Sequence, residues 1–289
     1  MSPAILSTVY KELAPLPGSV KLSLEYTHEL PVETEDEQSN NSSTKRFANP
    51  PYWVSWNEKI GAWVNADGSE IKLMISEEAR DMDIGELTLG FTSVLTGICL
   101  NLQGQVAIHA NAISLEELGI AFVGYSGRGK STLSAYCASR GAGFITDDVL
   151  VINDNNFVIP GNSRIKLYPH TGESLGLNNS QETNYKIFYQ PENIGAVIHD
   201  APVTMGIIYL LEESQNQDIY TETISQSQAV FSLVTHGYDV SLFIPKTPNL
   251  LNAYTKLVAR VPVKKLFYPR EFSMLPDVYN FLLEEIHNL

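Results

Sequence analysis

Residues Gly124-Tyr125-Ser126-Gly127-Arg128-Gly129-Lys130-Ser131 constrain this chain more than any other stretch. They follow the spacing Gly, four residues, Gly-Lys-Ser/Thr of a phosphate-binding loop. The flanks agree. Leu118 to Val123 is a short apolar run that reads as a buried strand, and Thr132 to Arg140 contains neither Pro nor Gly and reads as a helix. Strand, glycine loop and helix in that order are the context the motif needs. Glycines let several backbone N–H groups converge on one anion, and the N-terminus of the following helix adds partial positive charge. In such a loop Lys130 reaches the outer phosphates and the Ser131 hydroxyl sits on a magnesium ion. Gly124, Tyr125, Ser126, Gly127, Arg128, Gly129, Lys130, Ser131 and Thr132 are therefore the candidate nucleotide-binding residues. The fold class that follows is α/β.

A second motif narrows the chemistry. Phe144-Ile145-Thr146 leads into Asp147-Asp148, and an apolar run resumes at Val149. A carboxylate at such a strand end is placed to hold magnesium, directly or through water. Asp147 lies seventeen positions after Lys130, which leaves room for one helix between them. Two adjacent carboxylates can divide the work of phosphoryl transfer: one serves the metal while the other takes the proton of an incoming hydroxyl. An enzyme that only hydrolyses a nucleotide has to position water, so the pair points to a kinase. Upstream, Gln105 to Ile113 and Leu118 to Val123 read as a hairpin. With the turn centred between Glu116 and Glu117, partners sum to 233, which sets His109 opposite Gly124.

The remaining chain fills in around these motifs. Its 289 residues, 44% apolar, suffice for one large domain or two. A net charge of −14 argues against a broad nucleic-acid or anionic-membrane surface and leaves room for a small basic pocket. Cys99 and Cys137 have neither metal-ligand nor disulfide spacing, and the first seven residues lack a basic start and an apolar core. Leu87 to Leu102 is too short and too interrupted to span a bilayer and reads as a buried helix. A cytoplasmic protein without nucleic-acid or membrane partners is expected.

Residues 1–83 read as a β-rich region with a flexible acidic loop near 33–48. Its three tryptophans suggest a small sheet core rather than a ligand cluster. Residues 84–289 read as the catalytic domain. Within it, 171–195 is expected to be a long polar loop with a short helix, Val203 to Leu211 a central strand, and Val261 to Tyr268 an edge strand because of Pro262. Helices are expected at Gln226–Thr235, Leu250–Ala259 and Leu275–Leu289. His170, His199 and His236 stand alone and read as structural.

The run Ile108-His109-Ala110, Phe122 to Thr132, Arg140-Gly141 and Asp147-Asp148 resembles the catalytic core of the HPr kinase/phosphorylase superfamily, whose nucleotide-binding fold is shared with phosphoenolpyruvate carboxykinase. The resemblance is strong over residues 104–152 and continues in element order to about residue 270. It implies a mixed sheet with flanking helices, ATP and Mg2+ as cofactors, and a protein or peptide hydroxyl, a serine above all, as acceptor. It also implies roles: Lys130 and the loop on the phosphates, Ser131 and Asp148 on the metal, Asp147 as base, and His109 near the outermost phosphate. Which aspartate has which role stays open. The family's Glu-x-Arg-Gly segment is replaced by Pro160 to Pro169, and its C-terminal acceptor motif is absent. The chain is more similar to a diverged branch that includes lasso-peptide serine kinases, so a ribosomal precursor peptide is an implied partner. A homo-oligomer is implied by the closed assemblies of the family. Arg164 and Lys166, two apart on an extended segment, are candidates for the acceptor side. Two alternatives stand beside the kinase: a nucleotide-binding regulatory module without transfer, and a carboxykinase-like enzyme acting on a small molecule.

Overall fold

The computed structural model describes residues 21–31, 50–56, 58–82, 91–161, 164–177, 186–238 and 248–289. The acidic loop near 33–48 and the start of the expected helix, 87–90, lie outside the described residues. The chain divides into two compact units, Met1–Gln105 with Tyr238–Leu250, and Val106–Gly237 with Leu251–Leu289.

In the first unit the strands are β1 (Lys21–Thr27), β2 (Tyr52–Trp56), β3 (Ile60–Val64) and β4 (Glu70–Ser76), arranged β1-β4-β3-β2. β1 runs parallel to β4, and the other pairs are antiparallel. Helix α1 (Phe91–Leu102) packs Phe91, Leu95, Ile98 and Cys99 into one core with Ile60, Val64, Ile71, Leu73 and Ile75. Trp53 is fully buried, its ring 5.0 Å from that of Trp63. Gly61 is required there, because a Cβ would stand 2.3 Å from the Trp53 ring. Trp53 is buried and Trp63 half-buried, paired across β2 and β3, and the side chain of Trp56 lies outside the described residues.

The second unit is a mixed α/β structure. It runs β5 (Val106–Leu115), β6 (Leu118–Val123), α2 (Lys130–Ser139), β7 (Gly143–Thr146), β8 (Val149–Ile152), β9 (Phe157–Ile159), β10 (Ile165–Leu167), α3 (Pro169–Ser174) and β11 (Ile187–Tyr189). Then follow β12 (Val197–Ile198), β13 (Val203–Glu213), β14 (Tyr220–Thr223), α4 (Gln226–Thr235), α5 (Pro248–Val258, of which 248–250 are counted with the first unit), β15 (Val263–Tyr268) and α6 (Leu275–His287). Among the described residues the large sheet has nine strands, with β6 between β5 and β13. β6, β13 and β15 are mutually parallel neighbours, so their carboxyl ends, Val123, Glu213 and Tyr268, lie on one side. The crevice beyond such ends is where α/β sheets take ligands.

The β5–β6 register is Ala110↔Val123 through Leu115↔Leu118, the sum of 233 expected from the sequence. Glu116 and Glu117, with φ of 50° and 64°, form its two-residue turn. On the far side of β5 a second register runs from Val106↔Ile152 through His109↔Val149 to Ala112↔Thr146, all summing to 258, before a shift between Ala112 and Ile113 brings Ile113↔Phe144 and Ser114↔Gly143 to 257. β7 and β8 are thus one line of backbone interrupted at Asp147-Asp148. The amphipathic helix α6 seats Leu275, Val278, Leu282 and Ile286 against Ile120, Phe122, Tyr209 and Leu266, together with Leu133 and Cys137 of α2. Each such aliphatic side chain contributes about 1.5–3 kcal/mol by leaving water.

Two expectations need correcting. β15 is not an edge strand: it pairs with β13 on one side and β14 on the other. Pro262 precedes the strand, where its missing donor costs nothing and its carbonyl accepts from the Ile208 N–H at 3.0 Å. Within 171–195, Ile187–Tyr189 is a strand, pairing antiparallel with β10 in a two-stranded ribbon. The ribbon turns Ile165, Leu167, Ile187 and Tyr189 onto Ala135 and Ala138 of α2. Helix α2 therefore lies between the large sheet and the ribbon.

Candidate active site

The glycine loop hangs from the end of β6, where Gly127 and Gly129 take the left-handed values φ 83° and 92° that a β-carbon disfavours. At Gly129 there is also no room, since a Cβ would stand 2.4 Å from Tyr268 Oη. That hydroxyl donates to the Arg128 carbonyl at 3.1 Å, and Arg270 Nη1 donates to the Gly127 carbonyl at 2.6 Å. With these carbonyls engaged from outside, the loop is braced by residues at the ends of neighbouring strands. The Arg128 guanidinium lies 3.7 Å from Glu212, half exposed. Tyr125 and Ser126 are exposed, and Thr132 is half-buried in the first turn of α2. Lys130 opens that helix. Its buried Nζ donates to the Gly124 carbonyl at 2.6 Å and reaches the Tyr125 carbonyl at 3.4 Å. Burial lowers its pKa to about 8, against the opposing pull of Asp148.

The paired aspartates sit in the interruption between β7 and β8. By the register of 258, Asp147 falls opposite Asn111, and Asn111 Nδ2 donates to Asp147 Oδ1 at 2.6 Å. The same oxygen accepts from Ser131 Oγ at 3.5 Å, and Asp147 Oδ2 accepts from the Lys166 backbone N–H at 2.6 Å. Asp148 has φ of 69°, and the Val149 N–H donates across it to the Asp147 carbonyl at 2.9 Å. A non-glycine residue in this conformation costs about 1–3 kcal/mol, and such strain concentrates at functional sites. The turn separates the two carboxylates: Asp147 faces the loop serine, and Asp148 makes an ion pair with Lys166 Nζ on the ribbon.

The electrostatics follow from this separation. Burial, then the neighbouring Asp148 charge, push Asp147 up to about 6. Burial would raise Asp148 too, but the Lys166 ammonium, helped by His109 and Lys186, holds it well below the usual carboxylate range. His109, partly buried on β5, is lowered to about 4 by burial and so is neutral near pH 7. His109 and Asn111 are two apart on the strand and share a face.

All the sequence-predicted residues of the pair and the loop thus lie in one unit, and Lys130, Ser131, Asp147, Asp148, Lys166 and His109 are coupled within it. Arg164 stacks on Phe188, its guanidinium 4.1 Å from the ring centroid. Asn111, Lys186, Tyr268, Arg270 and His236 were not singled out for the site by the sequence. Lys186 Nζ lies 3.4 Å from Ser131 Oγ. The His236 ring stands edge-on to Tyr125 at 4.7 Å, and its carbonyl accepts from the His109 N–H at 2.8 Å. The signal for Asn111 was available, because it shares a strand face with His109.

His236 gives a measurable consequence. Burial, then Lys130, lower its pKa to about 4. Between pH 6.5 and 4 the unfolded chain binds a proton there that the folded chain refuses, so this residue's contribution to stability is lost as pH falls through that window. His236→Gln removes the effect. In urea titrations the variant should lose about 1 kcal/mol less than the wild type between pH 6.5 and 4.5, after discounting for a partly exposed ring. Equal losses in both proteins would show that this ring is not held neutral by the fold.

No family model matches the chain, and no curated protein does. Among solved structures, the Hpr(Ser) kinase/phosphatase from Coxiella burnetii is similar over 63% of this chain and 95% of that one, at 17% identity and a TM-score of 0.35. This is a distant likeness that assigns no activity. Among the described residues no helix is long and apolar enough to cross a membrane.

Proposed function

We propose that this chain is a Mg2+/ATP-dependent kinase of the HPr kinase-like fold, transferring the terminal phosphate of ATP to a hydroxyl of a protein or peptide, a serine above all. The observation that carries the reading is the convergence of Ser131, Asp147, Asp148 and Lys166 behind a glycine loop braced for an anion.

The donors suit magnesium. Ser131 Oγ and Asp147 Oδ1 are hard oxygens 3.5 Å apart. Neighbouring ligands of an octahedral ion at 2.0–2.1 Å are about 3 Å apart, so a small closure brings both onto one ion. Among the described residues no group of three or more His, Cys, Asp or Glu could hold a metal. That matches an ion that keeps waters and phosphate oxygens rather than a dedicated cage. When bound, magnesium neutralises charge on the phosphates. This geometry favours Asp147 with Ser131 at the metal and Asp148 as the base, the reverse of the roles the family resemblance implies. Geometry ranks ahead of acidity in such an assignment.

In the reaction, Asp148 accepts the proton of the acceptor hydroxyl as that oxygen bonds to the terminal phosphorus. The bond from phosphorus to the bridging oxygen breaks, and its electron pair leaves with ADP. Lys166 orients Asp148, while neutral His109 offers a hydrogen bond beside it. Lys130 and the loop backbone hold the phosphates.

The test is incubation with ATP and a panel of serine-containing peptides, including ribosomal precursor peptides, read by mass spectrometry. The expected result is a phosphorylated peptide that forms only with Mg2+. Tight ATP binding with no phosphorylated product from any acceptor would instead favour a regulatory nucleotide-binding module.

A further inference from the structure

Lys186 has no part in the chemistry above. It stands one residue before β11, where the ribbon's register of Lys166↔Phe188 and Leu167↔Ile187 continues to set it opposite Tyr168. Cross-strand partners share a face, as do residues two apart. Arg164, Lys166, Tyr168, Lys186 and Phe188 therefore occupy one face, while the apolar ribbon residues fill the other. Aromatic rings support the cations: Lys166 Nζ lies 5.7 Å from the Phe188 centroid and Lys186 Nζ 5.8 Å from that of Tyr168.

The three ammonium groups of the site are differently engaged. Lys130 is held by loop carbonyls and Lys166 by Asp148. Lys186 reaches a neutral hydroxyl, Ser131 Oγ at 3.4 Å, and among the described residues it makes no ion pair. Three ammonium groups against two carboxylates leave the site positive within a chain of net charge −14. A compact, strongly hydrated ammonium next to the loop serine is suited to an anion it does not yet have. The loop's backbone N–H groups serve the inner phosphates. The ribbon reaches both carboxylates, Asp147 through the Lys166 N–H at 2.6 Å and Asp148 through Lys166 Nζ, and it sets Lys186 beside the loop serine.

The geometry points to Lys186 as a catalytic residue that binds the terminal phosphate of the nucleoside triphosphate from the ribbon side, adding a second lysine to the one in the loop. This rests on the nucleotide reading of the site.

The test compares Mg2+-ATP and Mg2+-ADP affinity by calorimetry for the wild type, Lys186→Ala and Lys186→Arg. Loss of one charge-assisted bond to the outermost phosphate should weaken ATP about tenfold or more in Lys186→Ala, with ADP changed less than about twofold. Lys186→Arg should retain most ATP affinity, which also guards against misfolding of the alanine variant. Equal weakening of both nucleotides, or of neither, overturns the role for Lys186 while leaving the kinase reading standing. A wild type that binds neither nucleotide overturns both.

Discussion

Lys130→Met should lower phosphoryl transfer about 10²–10³-fold while leaving the chain folded. The size is that of removing one preorganised group aimed at charge that develops in the transition state. Met keeps most of the buried stem, so α2 retains its first turn against the sheet. The variant also leaves the Gly124 carbonyl without its donor at 2.6 Å, a loss of about 1 kcal/mol, but it removes an ammonium that burial disfavours, so the melting temperature should not fall. Nucleotide binding should weaken in parallel, because the ammonium that now caps the loop carbonyls is free to turn to phosphate. The measurement is initial rate with the best acceptor, alongside thermal melting. A fully active Lys130→Met would reduce the loop to a glycine-rich turn and remove the main support for phosphotransfer.

The loop and the hairpin were legible because their determinants are local. A two-residue turn between apolar runs fixes the β5–β6 register, and the sum of 233 holds residue by residue. What Asn111 faces was not legible, because that depends on β7 and β8 sharing a register with β5 across more than thirty intervening residues. Lys186 was hidden for a similar reason. Ile187–Tyr189 is too short for a period to show, and its strand conformation comes from pairing with β10 over a long gap. Pro262 misled because its effect was assigned to a strand that begins one residue later. His236 was read as structural since nothing near it in sequence marks a site, yet the end of α4 sets it against Tyr125. Local chemistry therefore marked one wall of the candidate site, and long-range pairing built the other.

Asp148→Asn and Asp147→Asn should fail in different ways, and the difference assigns the two carboxylates. An amide cannot take the acceptor's proton, so Asp148→Asn should lower kcat about 10²–10⁴-fold while the Mg2+ concentration needed for half-maximal ATP binding stays near the wild-type value. Asp147→Asn should instead raise that Mg2+ requirement about tenfold or more, as expected when a metal ligand is removed. Stability complicates the first variant. Asp148 and Lys166 are a buried ion pair, and removing one partner strands the other at a cost of about 3–5 kcal/mol. The double variant Asp148→Asn with Lys166→Met separates the two effects: it should recover much of the melting temperature and none of the rate. In Asp147→Asn a new amide nitrogen turned to the Lys166 N–H loses that hydrogen bond, whereas one turned to Asn111 keeps its bond if that amide rotates to present its unpartnered Oδ1. Should the Mg2+ requirement rise in Asp148→Asn and the rate alone collapse in Asp147→Asn, the roles return to those implied by the family resemblance, with Asp147 as base and Asp148 at the metal.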